Sequence, residues 1–429
     1  MSDKTKKQFL ELNGVPTISQ DKLQSLKVLM LADNRHSANV VLDYINAFTK
    51  YSNHHIEVIN PIHDSPLSCF QVLKFDIILI HYSIYTLDDY FLSEYWNVIV
   101  AEFPGLKVQI IQDEYRSINM MTKKMTKLGI SVIISALDFQ NIQQVYADDT
   151  PSVNQVISCL PGYISDYFYK ISGPPIAKRP LDIVYRGRIL PPSLGLHAYD
   201  KYSIGEQMIH IAKAYDLKVD ISSEEGSRIY GDKWNCFISS GRTTLGVEGG
   251  ASIFDFDGEV SRRVSEFMLE NPKADFNKVW NLIARPYEGN IVNKNLTPKL
   301  LEAIASKTAL ILYPGKYNGI LSPGRHYIEL KRDLSNIDVV LEKIKDTSKL
   351  QKMVNLTHDE ILNSERLTFR YFVRKIDEVF LHNKIWPNSI INRLFSQIFF
   401  LLKILTYQLK KYLKKKLNSK NILIKQKYS

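Results

Sequence analysis

Cysteine is scarce in this 429-residue chain: Cys69, Cys159 and Cys236 are the only three, and none belongs to a C-x-x-C pair or a Cys/His cluster. A disulfide frame and a zinc knuckle are thereby excluded, and a reducing compartment is expected. Long apolar runs are missing too. A bilayer-spanning helix needs ~20 apolar residues, whereas the longest uncharged run near the C-terminus, Leu394–Leu402, has nine. The opening MSDKTKKQFLELNG is polar and lacks the hydrophobic core of a signal peptide, so a cytoplasmic protein is expected. Two Asn-Leu-Thr triplets, at Asn295 and Asn355, then read as chance sequons. Acidic residues are absent from one region altogether. Between Trp386 and Ser429 there are ten Lys/Arg and no Asp or Glu, while the other 45 basic residues match the 45 acidic ones. The net charge of +10 therefore belongs to the tail. A partner chosen by charge meets the tail, not the body, and no nucleic-acid partner is expected.

What is present alternates between strands and helices. Leu26–Leu31 (LKVLML) reads as a strand, and Ala38–Tyr51 as a helix with Ser37 as N-cap. Ile56–Ile59, Phe75–His81, Val108–Gln112, Val132–Ser135 and Gln155–Leu160 are further short β-rich runs. Such alternation predicts a doubly wound parallel sheet. Gly173–Pro180 (GPPIAKRP) fits only a linker, because its prolines lack the N–H and the φ freedom that an element interior needs. A second series follows, with strands at Leu181–Tyr185, Leu217–Ile221 and Thr243–Val247 and helices at Ile204–Tyr215, Val260–Glu270 and Phe276–Ile283. Helices at Ser335–Lys345, Lys349–Asn363 and Leu367–Leu381 are expected to close that domain. The fold class expected is α/β: two Rossmann-like domains facing a cleft, residues 1–172 and 181–383, followed by a basic amphipathic helix in residues 386–429.

Residues 297–333, TPKLLEAIASKTALILYPGKYNGILSPGRHYIELKRD, combine a helix, an apolar strand and a Gly/Pro-rich loop. This segment resembles the C-terminal domain of group 1 glycosyltransferases of the GT-B type, as found among bacterial surface-polysaccharide glycosyltransferases. There a similar helix holds the nucleotide-sugar donor. Glu302 matches the last acid of that family's E-x7-E pattern, which in the family holds the donor's ribose hydroxyls. A carboxylate can accept two hydrogen bonds from a vicinal diol, so the chemistry fits. Lys294 stands where the first acid belongs. The resemblance leaves Glu288 or Glu248 to take that role after an insertion.

Arg186 and Arg188 flank Gly187 at the carboxyl end of a strand. Enzymes similar to this one neutralise the donor pyrophosphate there, and guanidinium forks suit phosphate oxygens. Lys299, one helical turn before Glu302, either reaches the same phosphates or is a solvated helix-face lysine. Gly249 and Gly250 open either a backbone nest for phosphate or a plain turn. Asp255-Phe256-Asp257 spells the D-x-D that holds a metal in GT-A enzymes, but with Gly258 behind it a turn is the expected reading, and no metal ion or cofactor is expected.

On the acceptor side, Asn34, His36, His81, Asp113, Glu114 and Tyr115 follow strands of the first domain, at the edge that faces the crevice in open α/β sheets. His81, Asp113 and Glu114 are candidate general bases; Asn34, His36 and Tyr115 are candidate acceptor contacts. The tail places apolar residues from Ile391 to Leu413 at helical spacing among lysines. Such a helix lies on an anionic membrane surface or packs on its own fold or a second subunit. The resemblance and the tail together imply a glycosyltransferase moving a sugar from a nucleoside diphosphate sugar to a glycan or lipid-linked glycan acceptor, peripheral at the inner face of the cell membrane. A nucleotide-sugar 2-epimerase of GT-B fold and a catalytically lapsed membrane-bound scaffold are the alternatives.

Overall fold

The computed structural model describes residues 7–18, 25–147, 150–171, 173–383 and 390–427. Met1, Ser172 and Trp386, which bound expected segments, lie outside them. The first lobe runs β1 (Gln8–Glu11), β2 (Lys27–Leu31), α1 (Asn39–Tyr51), β3 (His55–Ile59), α2 (Cys69–Val72), β4 (Ile77–Ile80), α3 (Glu94–Glu102), β5 (Leu106–Ile111), α4 (Ile118–Leu128), β6 (Val132–Ser135), α5 (Phe139–Tyr146) and β7 (Gln155–Ser158). Its strands form one sheet in the order β1-β7-β6-β5-β4-β2-β3, parallel at every pairing.

The reason lies in the strand sequences. Ile77, Ile78, Leu79 and Ile80 are all fully buried. Successive residues point to opposite faces, so each strand feeds two cores. Leu29, Leu31, Ile78 and Ile80 join one layer under α3 to α5; Val28, Met30, Ile77 and Leu79 join the other, under α1.

The second lobe runs β8 (Leu181–Arg186), α6 (Leu196–Ala214), β9 (Val219–Ser222), α7 (Asp232–Ser240), β10 (Gly241–Gly246), β11 (Gly249–Ala251), α8 (Glu259–Glu270), α9 (Phe276–Val279), β12 (Asn293–Asn295), α10 (Pro298–Ala305), β13 (Ala309–Leu312), β14 (Ile328–Glu329), α11 (Ile337–Lys345) and α12 (Thr347–Leu362). A five-stranded parallel sheet has the order β14-β13-β10-β8-β9, and β11 pairs β12 in a small antiparallel ribbon. The chain is thus an α/β protein of two Rossmann-like lobes.

Three expectations are corrected. β1 comes from the N-terminal stretch read as merely polar; it is a short edge strand beside β7. Ser37 does not cap α1. The N-cap is Ala38, whose amide donates instead to His36 Nδ1 at 3.0 Å. The last of the three closing helices, α13 (Phe369–His382), leaves the second lobe and packs on the first. Its Phe369 and Phe372 meet the Tyr44 ring at centroid distances of 5.3 and 5.1 Å, and Phe372 stacks on Tyr163 at 4.7 Å. Asp377 of the same helix accepts from the Ser52 hydroxyl at 2.6 Å and the Asn53 amide at 2.7 Å. A final helix, α14 (Ile390–Lys427), follows.

The lobes also meet along a backbone seam. Asp255 N donates to Tyr115 O at 2.9 Å, Ile118 N to Asp255 O at 3.3 Å, and Asn119 N to Phe256 O at 2.8 Å. Asn295 Nδ2 adds a bond to Ala136 O at 2.6 Å.

Phe372 sits at the centre of the cross-lobe aromatic cluster with no exposure. Phe372→Ala is expected to cost about 3–5 kcal/mol in urea unfolding. A loss under about 1 kcal/mol would contradict the view that α13 is fixed to the first lobe by these rings.

Candidate functional site

The loops after β5 of the first lobe and β8 of the second come near one another, since Asp113 and Arg188 both act electrostatically on Lys201. On the second lobe, β8 ends at Arg186 and α6 starts close behind it. Gly187 permits this approach, since a Cβ there would lie 2.9 Å from Lys201 O and closer still to the Ser223 hydroxyl. Gly195, at φ +83°, makes the turn into α6, where a Cβ would strike the Ser252 hydroxyl. The first α6 amides are already satisfied. Leu196 N donates to Glu288 Oε2 at 3.0 Å and His197 N to Ser252 Oγ at 3.1 Å. This helix end is therefore closed to an outside anion.

Four cations gather beyond it. Arg188, Lys201 and Arg228 all act electrostatically on Lys299. Arg228 is partly neutralised by Glu225 at 2.7 Å. Arg188 and Lys201 make no side-chain hydrogen bond or ion pair among the described residues. Lys299 donates to Arg186 O at 3.1 Å and lies 5.3 Å over the Trp234 ring. Lys299 is exposed, yet the surrounding walls and the neighbouring cations push its ammonium down to about 8.

Glu302 faces the same cluster. Its Oε2 accepts from Trp234 Nε1 at 2.7 Å. Burial raises its carboxyl to about 7, against the pull of the Trp234 bond and Lys299. From the first lobe, Asp113 reaches across: it is the carboxylate that supports the charge on Lys201. Asp113 is exposed and holds a left-handed backbone, φ +60°. Its Oδ1 accepts from Tyr115 O–H at 2.6 Å. Tyr115 in turn packs edge-on against Phe254 of the second lobe, so the Asp113 turn is fixed by the lobe seam.

The remaining sequence candidates have other partners. The Arg186 guanidinium makes two bonds to Asp220, at 2.8 and 3.0 Å, donates from Nε to Ser227 O at 2.9 Å and stacks 4.2 Å from Phe237. With its donors used in this way it shapes the wall rather than offering a free fork. Glu248 is buried and accepts from Lys316 N and Tyr317 N at 3.1 and 2.8 Å, which holds the loop after β13. Glu288 accepts from Trp280 Nε1 at 2.8 Å as well as from α6. Each acid makes these contacts through one carboxylate oxygen, Oε1 of Glu248 and Oε2 of Glu288. Gly249 and Gly250 pair with Asn295 and Lys294 in the ribbon and form no nest.

On the first lobe, Glu114 turns into the core. It accepts from Ser135 and from Tyr146 O–H at 2.8 Å, and burial holds its carboxyl up at about 8. His81 is wholly buried, takes Ser83 N on Nδ1 at 3.2 Å, and is pushed down to about 3 by desolvation. It is a neutral imidazole under the sheet edge. Asn34 and His36 follow β2; Asn34 receives a long 3.4 Å bond from Asn60, and His36 Nδ1 is used by Ala38 N. The D-x-D is a turn, as expected: Asp255 accepts from Gly258 N and Ser261 N at 3.0 and 2.8 Å, and Asp257 from Glu259 N at 3.0 Å. No cluster of three His, Cys, Asp or Glu able to hold a metal exists among the described residues.

Three site residues escaped the sequence reading: Lys201, Arg228 and Trp234. Lys201 lies mid-helix with no motif around it, and Trp234 lies on α7, 68 positions from the Glu302 it binds. The only available signal was position: each helix begins shortly after a strand of the second sheet.

No family model matches the sequence, and no curated protein matches it. Solved structures do resemble it. Anabaena HepE in complex with UDP and glucose shares 10% identity over 83% of this chain and 100% of that one, with a TM-score of 0.46. An alpha-glucosyltransferase in complex with UDP-glucose and DNA containing an abasic site shares 11% over 79% and 95%, at 0.44. The T4 phage BGT in complex with UDP and Mn2+ shares 11% over 89% and 99%, at 0.39. The likeness is one of fold.

The raised Glu302 carboxyl has a testable sign. Its folded-state proton affinity exceeds the ordinary one, so its favourable contribution is complete below about 4.5 and lost as pH rises through about 7. Glu302→Gln keeps an acceptor for Trp234 and has no proton to lose. Relative to the parent it is expected to gain on the order of 1–2 kcal/mol between about pH 5 and about pH 8, allowing for partial exposure. Urea unfolding at both pH values measures this, and a pH-independent difference would contradict it.

Proposed function

We propose that the chain is a glycosyltransferase that uses a nucleoside diphosphate sugar. One observation carries the reading: Arg188, Lys201, Arg228 and Lys299 converge on one cleft wall, with Glu302 and Asp113 as the facing carboxylates. Like charges so close repel one another, and a bound anion relieves that repulsion. A diphosphate supplies the charge, and the adjacent Glu302 suits the hydroxyls of its ribose.

Transfer breaks the bond between the sugar's anomeric carbon and the diphosphate oxygen. The bonding pair leaves with the diphosphate, where negative charge grows. Arg188, Lys201 and Lys299 are placed to stabilise that charge as it develops, without a metal ion. The acceptor hydroxyl loses a proton as its oxygen bonds to the anomeric carbon. Asp113, exposed and facing the cation wall, is the carboxylate of the first lobe in position to take it. Asn34 and His36 at the same edge are acceptor contacts in this reading. His81 and Glu114, held in the core, support the acceptor lobe instead of moving the proton. The acceptor is a lipid-linked or surface glycan, and the site of action is the inner membrane face. Both rest on the cationic tail, since an enzyme held at a membrane meets acceptors anchored there.

A thermal-shift screen across nucleoside diphosphates tests this. A ligand at a hundred times its Kd stabilises by about 2.7 kcal/mol, and UDP or GDP is expected to raise Tm by several degrees. Lys201→Ala and Lys299→Ala are expected to lower affinity at least about tenfold, the loss of a charge-assisted contact. Arg186→Ala is expected to lower the Tm of the free protein instead. For the parent, affinity falls as pH rises through about 8, where Lys299 loses its proton; Lys299→Arg keeps binding at higher pH. No shift with any nucleoside diphosphate would end the proposal.

A further inference from the structure

Helix α14 has two opposite apolar faces. One is used within the molecule. Phe400 and Ile404 are buried, at 1% and 0% exposure, in the core layer of the first lobe shared with Trp96 and Val100 of α3. Lys403 pairs with Glu102 at 2.6 Å and Lys411 with Glu94 at 3.4 Å, the two ends of the same α3. The tail is therefore clamped along the acceptor lobe and is not a loose tether.

The other face carries Leu394, Ile398, Leu402, Leu405, Leu409 and Tyr412. They recur at spacings of three and four residues, so they form one stripe about half a turn away from Phe400 and Ile404. Each of the six is between 47% and 61% exposed. A continuous stripe of large apolar side chains on a protein surface marks a binding face, unlike apolar residues scattered singly. Lys410 flanks this face, while Lys414, one turn past the clamped Lys411, lies round on the α3 side; neither makes an ion pair among the described residues. The helix Ile390–Lys427 contains no Asp or Glu.

The geometry points to this face as a bilayer-docking surface for anionic lipid, which seats the acceptor lobe on the membrane in one fixed orientation. Charge decides between this occupant and a second copy of the chain. Two α14 helices packed together would set lysine against lysine with no acid to compensate, whereas anionic headgroups complement Lys410 and the acid-free helix as a whole while the stripe enters the acyl boundary. The clamp on α3 adds the orientation: whatever α14 lies on, the first lobe lies beside. Bilayer docking does not depend on the transferase reading, and the two fail separately.

Flotation of the full chain with phosphatidylcholine vesicles, with and without phosphatidylglycerol, tests the inference. Binding is expected with phosphatidylglycerol, weaker without it, and weaker as salt rises. The double substitution Leu402→Glu and Leu409→Glu is expected to lower vesicle affinity at least about tenfold, because it places charge in the apolar stripe. Both positions are 58% exposed, so the unfolding midpoint and the nucleotide-induced shift stay as in the parent. Failure of the parent to float with anionic vesicles at low salt would overturn the inference. So would undiminished binding by the double variant, or a dimer in vesicle-free buffer that the same substitutions dissociate.

Discussion

The backbone seam between residues 115–119 and Asp255–Phe256 sets the width of the cleft. The chain from β5 to α4 carries two non-glycine residues in the left-handed region, Asp113 and Ser117. Such backbone costs on the order of 1 kcal/mol per residue. Here the seam holds it, because Tyr115 O and the first amides of α4 are spent on Asp255 and Phe256. Asp255 in turn is fixed by capping α8. A carboxylate that has to oppose cations on another lobe needs this kind of support from both sides. Helix α13 adds a second tie, carrying the end of the second lobe back to the aromatic cluster around Tyr44.

Against that fixed geometry, the electrostatics of the second lobe make sense as a division of labour. Arg186 and Asp220 form a closed pair that stiffens the wall. Glu248 and Glu288 hold a loop and a helix end. What remains unpaired is Arg188 and Lys201, with Lys299 and Glu302 pulled from their ordinary ionisation by their surroundings. Perturbed groups of opposite sign, collected in one cleft between two sheets, are the basis of the ligand site proposed above.

Much of the scaffold was legible locally. Strands such as Val132–Ser135 are apolar on both faces and announce themselves, and the prolines of Gly173–Pro180 separate the two series. The D-x-D turn was readable from Gly258. What failed was non-local. Arg186 looked available until Asp220, Ser227 and Phe237 closed around it. Glu114 and His81 follow strands at the expected edge, but their side chains point into the core. Helix α13 has an amphipathic pattern that fits either lobe, and only the partner rings of Tyr44 and Tyr163 decide. Lys201 and Trp234 carry no local mark, because their role exists only through residues distant in sequence. For the tail, helical spacing allows a membrane surface, its own fold or a second subunit as the partner, whereas α14 packs on the first lobe through Phe400 and Ile404 and leaves a second apolar face exposed.

In the proposed site one wall of cations, opposed by Asp113, receives a diphosphate. Hydrogen–deuterium exchange of the full chain with and without UDP or GDP tests it most directly. Slower exchange is expected in residues 186–203 and 297–305 of the second lobe and in residues 113–117 across the cleft, with the strands unchanged. Protection confined to other surfaces, or none in these three segments at saturating nucleotide, would contradict it.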